Sequence, residues 1–356
     1  MLFDPLEIRG VTLRNRVGVS PMCQYSSRDG FATDWHFVHL GQFAVGGASL
    51  VMTEAAAVLP EGRISPRDLG IWKAGHVPEL KRIAGFVEEH GAVPGMQLAH
   101  AGRKASTWHP WAEASGEVTA AEGGWPEDVW APSAIPFSES YPRPRALDGD
   151  GIARVVDGFR AAARRALEAG FRALEIHAAH GYLLHEFLSP LSNRREDRYG
   201  GSLENRARLV LEVADAVRDV WPDELPLLVR ISATDWVEGG WDADQSARLA
   251  GMLEGHGVDL VDCSSGGLVP GAEIPVGPGY QVPFAEKLRR EAGIRTAAVG
   301  MITDPGQAEG IVSEGRADMV FLAREHLRQP HWALMAAAEL GAEFPWPSQY
   351  ARARPK

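Results

Sequence analysis

The stretch Ala173-Leu-Glu-Ile-His-Ala-Ala-His-Gly-Tyr182 joins an apolar run to three polar groups at its end. The run contains a β-branched residue and is bounded by glycines, which predicts a short buried strand. This strand would deliver His177, His180 and Tyr182 into the loop that follows it. Two imidazoles at one strand end can donate hydrogen bonds to a developing oxyanion, and a phenol can supply a proton.

Two other interpretations of the histidine pair stay open at this point. The imidazoles can be structural caps, or they can be two ligands of a metal ion. The metal interpretation is the weakest, because the sequence has no HExxH motif and no cysteine near the pair. We therefore favour oxyanion binding and expect no metal.

Similar apolar segments recur along the chain and alternate with amphipathic ones. The predicted strands are residues 17–20, 49–53, 93–98, 173–177, 227–231, 260–264, 296–300 and 319–323. The predicted helices are residues 76–90, 151–169, 202–221, 242–255, 280–292, 304–313 and 329–340, and Ser202 and Asp304 are expected N-caps. Eight βα alternations with strongly apolar strands predict a closed (βα)8 TIM barrel rather than an open sheet.

Two segments lie outside the βα alternation. Residues 6–15 alternate apolar and polar around Gly10, which predicts a hairpin that plugs the N-terminal end of the barrel. The insertion after the third strand, residues 101–147, carries four tryptophans among many prolines and glycines. Connections of this length are usually lids or binding loops, so we expect a lid. Residues 1–356 would then form a single barrel domain.

The bulk composition narrows the classes of function. The formal net charge of -11 argues against a nucleic-acid partner, which would need a basic face. Two cysteines are too few for a disulfide framework or an iron-sulfur cluster. The first residues lack the pattern of a signal peptide, and no apolar run approaches the length of a membrane span. We expect a reduced, cytoplasmic protein with no membrane partner.

Polar residues collect at the predicted C-terminal strand ends, which face the active site in such barrels. Gln97 offers a donor and an acceptor, and Arg230 is permanently cationic. A planar heterocycle with carbonyl and N–H edges would satisfy both, although a salt bridge at the barrel rim is the alternative for Arg230. Gly300 and Arg324 stand where barrels often bind phosphate, but Arg324 can also be a surface charge at a helix end.

Nucleotide-binding motifs of other folds are absent from the sequence. Neither GxGxxG nor GxxxxGK[ST] occurs, so neither a Rossmann nor a P-loop site is available. A nicotinamide dinucleotide would therefore dock only transiently on a bound ring. A non-redox phosphate-binding lyase or isomerase that uses His177, His180 and Lys104 is the alternative function, and a binding protein without turnover is a third.

Taken together, the motifs resemble the Old Yellow Enzyme family of ene-reductases, in its thermophilic-like branch. The resemblance covers nearly the whole chain and rests on Leu13-Arg-Asn-Arg16, Pro21-Met-Cys-Gln-Tyr25, Ala57, Gln97-Leu-Ala-His-Ala-Gly-Arg-Lys104, Ala131-Pro-Ser133, His177-Ala-Ala-His-Gly-Tyr182, Asn193-Arg-Arg-Glu-Asp-Arg-Tyr-Gly-Gly-Ser202, Asn205-Arg206 and Val229-Arg230.

This resemblance implies a noncovalent FMN that is reduced by NAD(P)H, with NADPH favoured, and reoxidised by an activated alkene. The implied cofactor-binding residues are Pro21, Met22, Cys23, Ala57, Gln97, Arg230, Ser264, Ser265, Gly266, Ala298, Gly300, Ala323 and Arg324. The isoalloxazine would lie against the earlier members of this set and the phosphate nearer the later ones. Ala323 replaces a glycine that is usual in the family, and its backbone N–H survives.

The resemblance also implies how the reaction runs. His177 and His180 would hold the carbonyl or nitro oxygen of the substrate, and hydride would pass to the β-carbon. Tyr182 would then protonate the α-carbon. Tyr25 would reach the substrate oxygen and Cys23 would lie near the flavin, although a small buried apolar role is the alternative for Cys23.

Three further expectations concern single positions and the tail. Cys263 is expected in the core, and Val299 replaces a tryptophan of a related enzyme, which predicts a wider pocket. The tail, residues 344–356, is aromatic and rich in proline. By resemblance it would enter the active site of a neighbouring subunit with Arg352, in a homodimer or homotetramer, whereas a disordered basic terminus is the alternative.

Overall fold

The computed structural model describes residues 1–355 and contains every strand predicted from the sequence. The strands are β1 (Leu6–Ile8), β2 (Val11–Leu13), β3 (Val17–Val19), β4 (Leu50–Ala57), β5 (Val93–Ala99), β6 (Trp130–Ala131), β7 (Arg145–Ala146), β8 (Ala173–Ala178), β9 (Leu227–Ser232), β10 (Leu260–Ser264), β11 (Arg295–Ala298) and β12 (Met319–Leu322). Eight of them form a closed parallel barrel in the order β3-β4-β5-β8-β9-β10-β11-β12, and β12 pairs with β3. The predicted TIM barrel is confirmed.

The barrel strands are buried along their whole length where they approach the site. Every residue of β4, β8, β9 and β10 is buried, as expected for parallel strands covered by helices on the outside. Most of these residues are apolar and belong to one continuous core. The buried charged residues of these strands are Glu54, Glu175, Arg230 and Asp262, and their charges have to be compensated where they lie.

Within residues 1–355, ten α-helices surround the barrel or cover its ends. They are α1 (Asp34–Val45), α2 (Val77–Glu89), α3 (Gly149–Glu168), α4 (Leu183–Leu188), α5 (Leu203–Arg218), α6 (Ala243–Gly255), α7 (Val282–Ala292), α8 (Pro305–Ser313), α9 (Arg324–Arg328) and α10 (Trp332–Glu339). The expected caps are confirmed: the Ser202 side chain accepts from the Asn205 amide, and the Asp304 side chain accepts from the Gln307 amide. No helix within residues 1–355 has the length and apolarity that crossing a bilayer requires.

The helix predictions were wrong at four places. The helix predicted over residues 329–340 begins only at Trp332, because the residue before Pro330 is disfavoured in helical conformation. The helix α1 was missed, since its buried face includes His36 and His39 and therefore shows no simple apolar period. The short helices α4 and α9 were also missed.

The hairpin of β1 and β2 lies against the N-terminal side of the barrel. Gly10 N donates to Glu224 O at 2.9 Å, and Arg9 Nε donates to Asp259 Oδ1 at 2.6 Å. Asp259 immediately precedes β10, and Glu224 lies three residues before β9. These contacts agree with the expected position of the hairpin, while its role as a plug stays a prediction.

The insertion of residues 101–147 is folded and packs over the opposite end of the barrel. It contains three short 3₁₀ helices and the parallel pair β6 and β7. Ala101, Ala105 and Val129 form a small core with Ile64. Cys23, Tyr25 and Tyr182 pack against this core, so the insertion adjoins the predicted site.

A buried asparagine ties the start of the barrel together and gives a stability prediction. Asn15 Nδ2 donates to Gly47 O at 2.9 Å, and its Oδ1 accepts from Val17 N at 3.0 Å. Asn15→Ala should lower the free energy of unfolding by about 2–4 kcal/mol, because two buried backbone groups lose their partners. The measurement is chemical denaturation. Thr12→Ala, at an exposed position of β2, should change it by less than about 0.5 kcal/mol; equal effects of the two variants would contradict this account.

Candidate active site

The three polar groups predicted at the end of β8 lie together at the C-terminal end of the barrel. The ring centroids of His177 and His180 are 5.2 Å apart, and those of His177 and Tyr182 are 5.1 Å apart. His177 belongs to β8, and Tyr182 is the N-cap of α4. One short loop thus presents two imidazoles and a phenol on the same side.

The backbone of this loop is held in a conformation that depends on glycine. His180 has φ +58° and Gly181 has φ +71°, both in the left-handed region. A Cβ on Gly181 would lie 2.3 Å from Gly267 O, so no other residue fits there. His180 N also donates to Ser232 Oγ at 2.9 Å. The loop after β8 is therefore packed tightly against the loop after β10.

Lys104 joins these same two loops. Its Nζ donates to His180 O at 2.8 Å and to Gly267 O. The ammonium also lies 4.2 Å from the Phe137 ring centroid and 5.5 Å from that of Tyr182. Burial, with the nearby charge of Arg103, lowers the pKa of Lys104 to about 7.

The electrostatic surroundings keep both imidazoles neutral. Burial lowers the pKa of His177 and of His180 well below the ordinary value, and the positive charges of Arg230 and Lys104 act in the same direction. Each ring therefore carries one N–H at neutral pH. His180 Nε2 lies 2.7 Å from Ser264 Oγ, whereas the buried Nδ1 of His177 has no hydrogen-bond partner within residues 1–355.

The phenol and the thiol beside the imidazoles stay protonated. Burial raises the pKa of Tyr182 well above its ordinary value, so the group holds its proton at neutral pH. Burial likewise raises the pKa of Cys23 and of Tyr25. Tyr25 packs edge-on against Trp111 of the insertion, with ring centroids 5.4 Å apart. The thiol of Cys23 is consequently not a thiolate in this structure.

The loop after β3 is fixed from below by a buried glutamate. Glu54 Oε2 accepts from Gln24 N at 3.0 Å, and its Oε1 lies 3.0 Å from His36 Nε2. These contacts hold the segment that contains Pro21, Met22 and Cys23, whose side chains are all half-buried. The predicted cofactor residues of this segment therefore line one side of the barrel mouth.

Gln97 and Arg230 lie on the inner wall of the barrel, each bound to a neighbouring polar group. Gln97 Nε2 donates to Glu175 Oε1 at 2.7 Å, and Glu175 is its side chain's one hydrogen-bond partner within residues 1–355. Arg230 Nη1 donates to Ser20 Oγ at 2.7 Å, across the barrel. Arg230 Nε is 3.3 Å from Asp262 Oδ2, close enough for an ion pair but not aligned as a hydrogen bond.

A cavity of about 160 Å³ opens after β11 and β12, where a phosphate was expected. Gly300, Ala323, Arg324 and Arg328 are among its lining residues. Gly300 has φ +122°, and a Cβ there would lie 2.8 Å from Gln281 Nε2, so glycine is required. Arg328 is paired with Glu325, which also lines the cavity, so the guanidinium of Arg324 beside open backbone is the group that suits an anion.

The remaining predicted site residues lie partly at the barrel mouth, partly in the core and partly on the surface. Ser264 and Ser265 donate to Gln281 Oε1 at 3.4 and 2.6 Å, and Gly266 follows them in the same buried loop. Ala57 ends β4 beside Ala99, at the mouth. Ala298 and Cys263 are fully buried in the core, as expected for Cys263. Arg352 is exposed in the 3₁₀ helix Ser348–Ala353 and bonds to none of the site residues.

Several residues of the site escaped the sequence reasoning. Glu175 and Asp262 lie on inner strand positions, and their signal was a lone acid inside an otherwise apolar strand. His185 and Asp235 support the histidine loop from below, and nothing in their spacing joins them. Gln281 lies in the connection before α7, and sequence offers no sign of its contacts.

A larger cleft, of about 610 Å³, lies at the N-terminal end of the barrel, and most of its charged side chains pair with one another, as in Arg9 with Asp259 and Arg289 with Asp318. Within residues 1–355 no three His, Cys, Asp or Glu side chains are arranged to hold a metal ion.

The donor set fits an FMN. The amide of Gln97 keeps hydrogen-bonding capacity for a ring with carbonyl and N–H edges, and Arg230 supplies a fixed positive charge beside it. The cavity with Gly300 and Arg324 suits the phosphate. His177 and His180 lie together at the end of β8 with a neutral N–H each. Together these groups could bind a flat cofactor and donate hydrogen bonds to an oxygen of a second molecule.

Comparisons with known proteins agree with this fit. A model of the NADH:flavin oxidoreductase / NADH oxidase family matches residues 1–343. An NADPH dehydrogenase of Geobacillus thermodenitrificans (strain NG80-2) is 51% identical over 354 residues, which cover 99% of this chain and 98% of the relative. An NADPH dehydrogenase of Bacillus subtilis (strain 168) is 48% identical over 353 residues, with the same coverage. The structure of an old yellow enzyme homologue from Zymomonas mobilis has a TM-score of 0.78 at 26% identity, covering 99% of this chain and 98% of that chain.

The barrel and its mouth thus define a flavin-dependent oxidoreductase. The match extends over nearly the whole chain. The chain belongs to the NADH:flavin oxidoreductase / NADH oxidase family, the family of the Old Yellow Enzymes. The expectations of an enzyme, of FMN as its cofactor and of NAD(P)H as its reductant are confirmed.

A buried histidine and a buried aspartate support the loop after β8. His185 Nδ1 accepts from Gly181 N at 2.9 Å, and His185 Nε2 lies 2.9 Å from Asp235 Oδ1. Ser189 Oγ and Trp241 N donate to the other carboxylate oxygen of Asp235. Burial alone would raise the pKa of Asp235, but the contact with His185 and these hydrogen bonds lower it below 3.8.

We expect His185→Phe to destabilise the protein by about 3–5 kcal/mol at neutral pH, because it leaves Asp235 buried without its partner. A carboxyl with a lowered pKa stabilises the fold above its unfolded pKa, and this contribution disappears as the pH falls through the folded value. The difference from the wild type should therefore shrink in acid. His256→Phe, which breaks a surface pair with Asp215, should cost at most about 1 kcal/mol. Denaturation curves of each variant and of the wild type at neutral and at acidic pH test this prediction. A destabilisation by His185→Phe that stays the same in acid would contradict it.

Proposed function

We propose that the protein is an FMN-dependent ene-reductase that reduces α,β-unsaturated carbonyl or nitro compounds. The observation that carries the proposal is the cluster of two neutral imidazoles and one protonated phenol at the barrel mouth. When bound, FMN supplies hydride transfer from NAD(P)H to the β-carbon of the substrate. The side chains of this protein orient the substrate and supply the proton.

In this proposal the ring is held between the loop after β3 and the inner wall. Pro21, Met22 and Ala57 would contact one side of it, and Gln97 and Arg230 its polar edge. Ser264, Ser265 and Gly266 would lie along the chain that leads to the phosphate. Gly300, Ala323 and Arg324 would hold the phosphate itself, with Ala298 contributing backbone only, since its side chain is in the core.

His177 and His180 would donate hydrogen bonds to the carbonyl or nitro oxygen. Such bonds withdraw electron density and lower the barrier to hydride addition at the β-carbon. Neutral imidazoles are suited to this role because each retains one N–H and brings no competing proton. His180 would exchange its contact with Ser264 for the substrate oxygen, while Tyr25 approaches the same oxygen and Cys23 lies beside the ring.

Tyr182 would give its proton to the α-carbon. A phenol with a raised pKa holds the proton until negative charge develops on the neighbouring carbon, and it is regenerated from solvent. The nearby ammonium of Lys104 stabilises the phenolate that forms. The lowered pKa of Lys104 would suit a lyase, but its Nζ is bound to two carbonyl oxygens and is not presented as a base, which disfavours this alternative.

The lid and the tail complete the proposal. The insertion of residues 101–147 would cover the substrate, since Trp111 already touches Tyr25. The tail is anchored by Phe344, which packs on Phe3, and by Tyr350, which packs on His331, while Arg352 is exposed. In a homodimer or homotetramer, Arg352 would reach the active site of a neighbouring subunit.

NADPH is the favoured reductant, as in the relatives named NADPH dehydrogenase.

A purified sample tests the whole proposal by its colour. We expect a yellow protein whose flavin absorbance bleaches anaerobically with NADPH and returns on addition of cyclohexenone. Bleaching without recovery would agree with a flavin oxidoreductase but would contradict the assignment as an ene-reductase. A colourless protein that also fails to bind added FMN would contradict both assignments.

Replacing the phenol tests its role as the acid. Tyr182→Phe should slow reoxidation by cyclohexenone by about 10²–10⁴-fold, which corresponds to roughly 3–5 kcal/mol, because the positioned proton is lost. Reduction by NADPH should be unchanged, as measured by stopped-flow absorbance of each half-reaction. Tyr199→Phe removes a phenol that binds Glu212 outside the site and should alter neither half-reaction. Unchanged reoxidation in Tyr182→Phe would exclude this tyrosine as the acid.

A further inference from the structure

The inner wall beneath the proposed flavin position contains two carboxyl groups and only one cation. Glu175 and Asp262 are completely buried, and Arg230 is 5% exposed. Asp262 lies 3.3 Å from Arg230 and compensates its charge. Glu175 has no cation of its own. Its Oε1 accepts from Gln97, and its Oε2 has no partner within residues 1–355.

A carboxylate in this position is unfavourable unless it takes up a proton. An ionised group without a partner in a dry interior loses its hydration and gains little in return, so it neutralises instead. The unpartnered Oε2 is the atom that would carry the proton. Burial, and then the charge of Asp262, raise the pKa of Glu175 to about 8, although Arg230 and Gln97 act in the opposite direction.

The surrounding strands contain no other charge that would change this balance. The side chain of Glu175 is faced by Gln97 from β5, Arg230 from β9 and Asp262 from β10, and His177 follows it on β8. The strands β3 and β12 carry no ionisable residue, and Arg295 of β11 is exposed. On β4 the one ionisable side chain, Glu54, is bound to Gln24 and His36.

We propose that Glu175 couples a second proton to the reduction of the cofactor. It is a neutral acid while the flavin is oxidised at neutral pH, and in alkaline solution it takes up a proton from solvent when the flavin is reduced. The proposal rests on the proposed function, because it requires the flavin to lie over Gln97 and Arg230. Glu175 acts through these two residues and is a positioning residue rather than a catalytic one.

The coupling follows from the charge that reduction adds. Two electrons and one proton delivered to the bound flavin leave one extra negative charge beside Arg230. That charge competes for the guanidinium and increases the proton affinity of Glu175. By linkage, a protonated Glu175 in turn makes reduction easier. The balance is two electrons from the reductant, one proton to the cofactor and one from solvent to the Glu175 carboxylate.

Glu175 also orients the amide that faces the cofactor. Because its Oε1 accepts from Gln97 Nε2, the Gln97 carbonyl oxygen is directed elsewhere. Glu175→Gln keeps an acceptor oxygen in this position but cannot ionise. The variant thus separates the proton from the hydrogen bond.

The test is a potentiometric titration of the FMN-loaded protein at pH values from about 7 to about 9.5. The slope of the midpoint potential against pH gives the number of protons taken up per two electrons. In the wild type we expect this number to rise from one to two above about pH 8. In Glu175→Gln it should stay at one. A wild type that stays at one, or a variant that still reaches two, would overturn the proposal.

Two further variants sharpen the result. Asp262→Asn removes the neighbouring negative charge and should move the break in the slope to lower pH. Glu186→Gln is the matched control, because Glu186 is equally buried and has a pKa raised by burial to about 8, but it contacts Arg103 instead of Gln97. Its break should remain where the wild type has it. If the break in the slope moves in Glu186→Gln, the proton is taken up by Glu186 and not by Glu175, and the proposal is overturned.

A measurement on the unmodified protein covers the case in which Glu175→Gln does not fold. The infrared difference spectrum between reduced and oxidised holoprotein should gain, in alkaline solution, the carbonyl stretch of a protonated carboxylic acid. Its absence would overturn the proposal without any variant. A protein that binds FMN and reduces cyclohexenone but takes up one proton throughout would refute only this inference. A protein without FMN would refute the proposed function.

Discussion

The buried guanidinium of Arg230 is the constraint on which the site depends. It extends from β9 to Ser20 at the end of β3 and lies beside Asp262 of β10, so three strands of the closed barrel meet at one charge. Burying an arginine requires a compensating carboxylate and hydrogen-bond acceptors. The barrel strands therefore bring Glu175, Arg230 and Asp262 close together, which is where a polar ring edge would be held.

The same charge governs the groups above it. Together with Lys104, Arg230 disfavours protonation of His177 and His180, which burial already opposes. Burial keeps the proton on the Tyr182 phenol. The mouth therefore contains neutral donors instead of an imidazolium pair that would repel the cation beneath it. A site that receives negative charge from a reductant benefits from such an arrangement, since its donors do not titrate near neutral pH.

The sequence was sufficient for the barrel because eight apolar strands alternated with amphipathic helices. It was also sufficient to bring His177, His180 and Tyr182 together, since one short loop contains them. It failed at α1, where histidines occupy the buried face, and at His185 with Asp235, which are fifty residues apart and meet only through the fold. Glu175 lies within residues 173–182, but its proposed role depends on Asp262 and Arg230. These residues lie on other strands, and the pattern of one strand does not predict their distances from Glu175.

Lys104 has a consequence for how such an enzyme can diversify. Its ammonium joins the loops after β8 and β10 through their carbonyl oxygens, and Gly181 packs directly on Gly267. These two loops therefore behave as a single rigid block, and an altered side chain on one would displace the other. New substrate shapes would be more readily accommodated across the mouth, where Tyr25 and Trp111 meet through their aromatic rings. Natural variation in selectivity should accumulate on that flank.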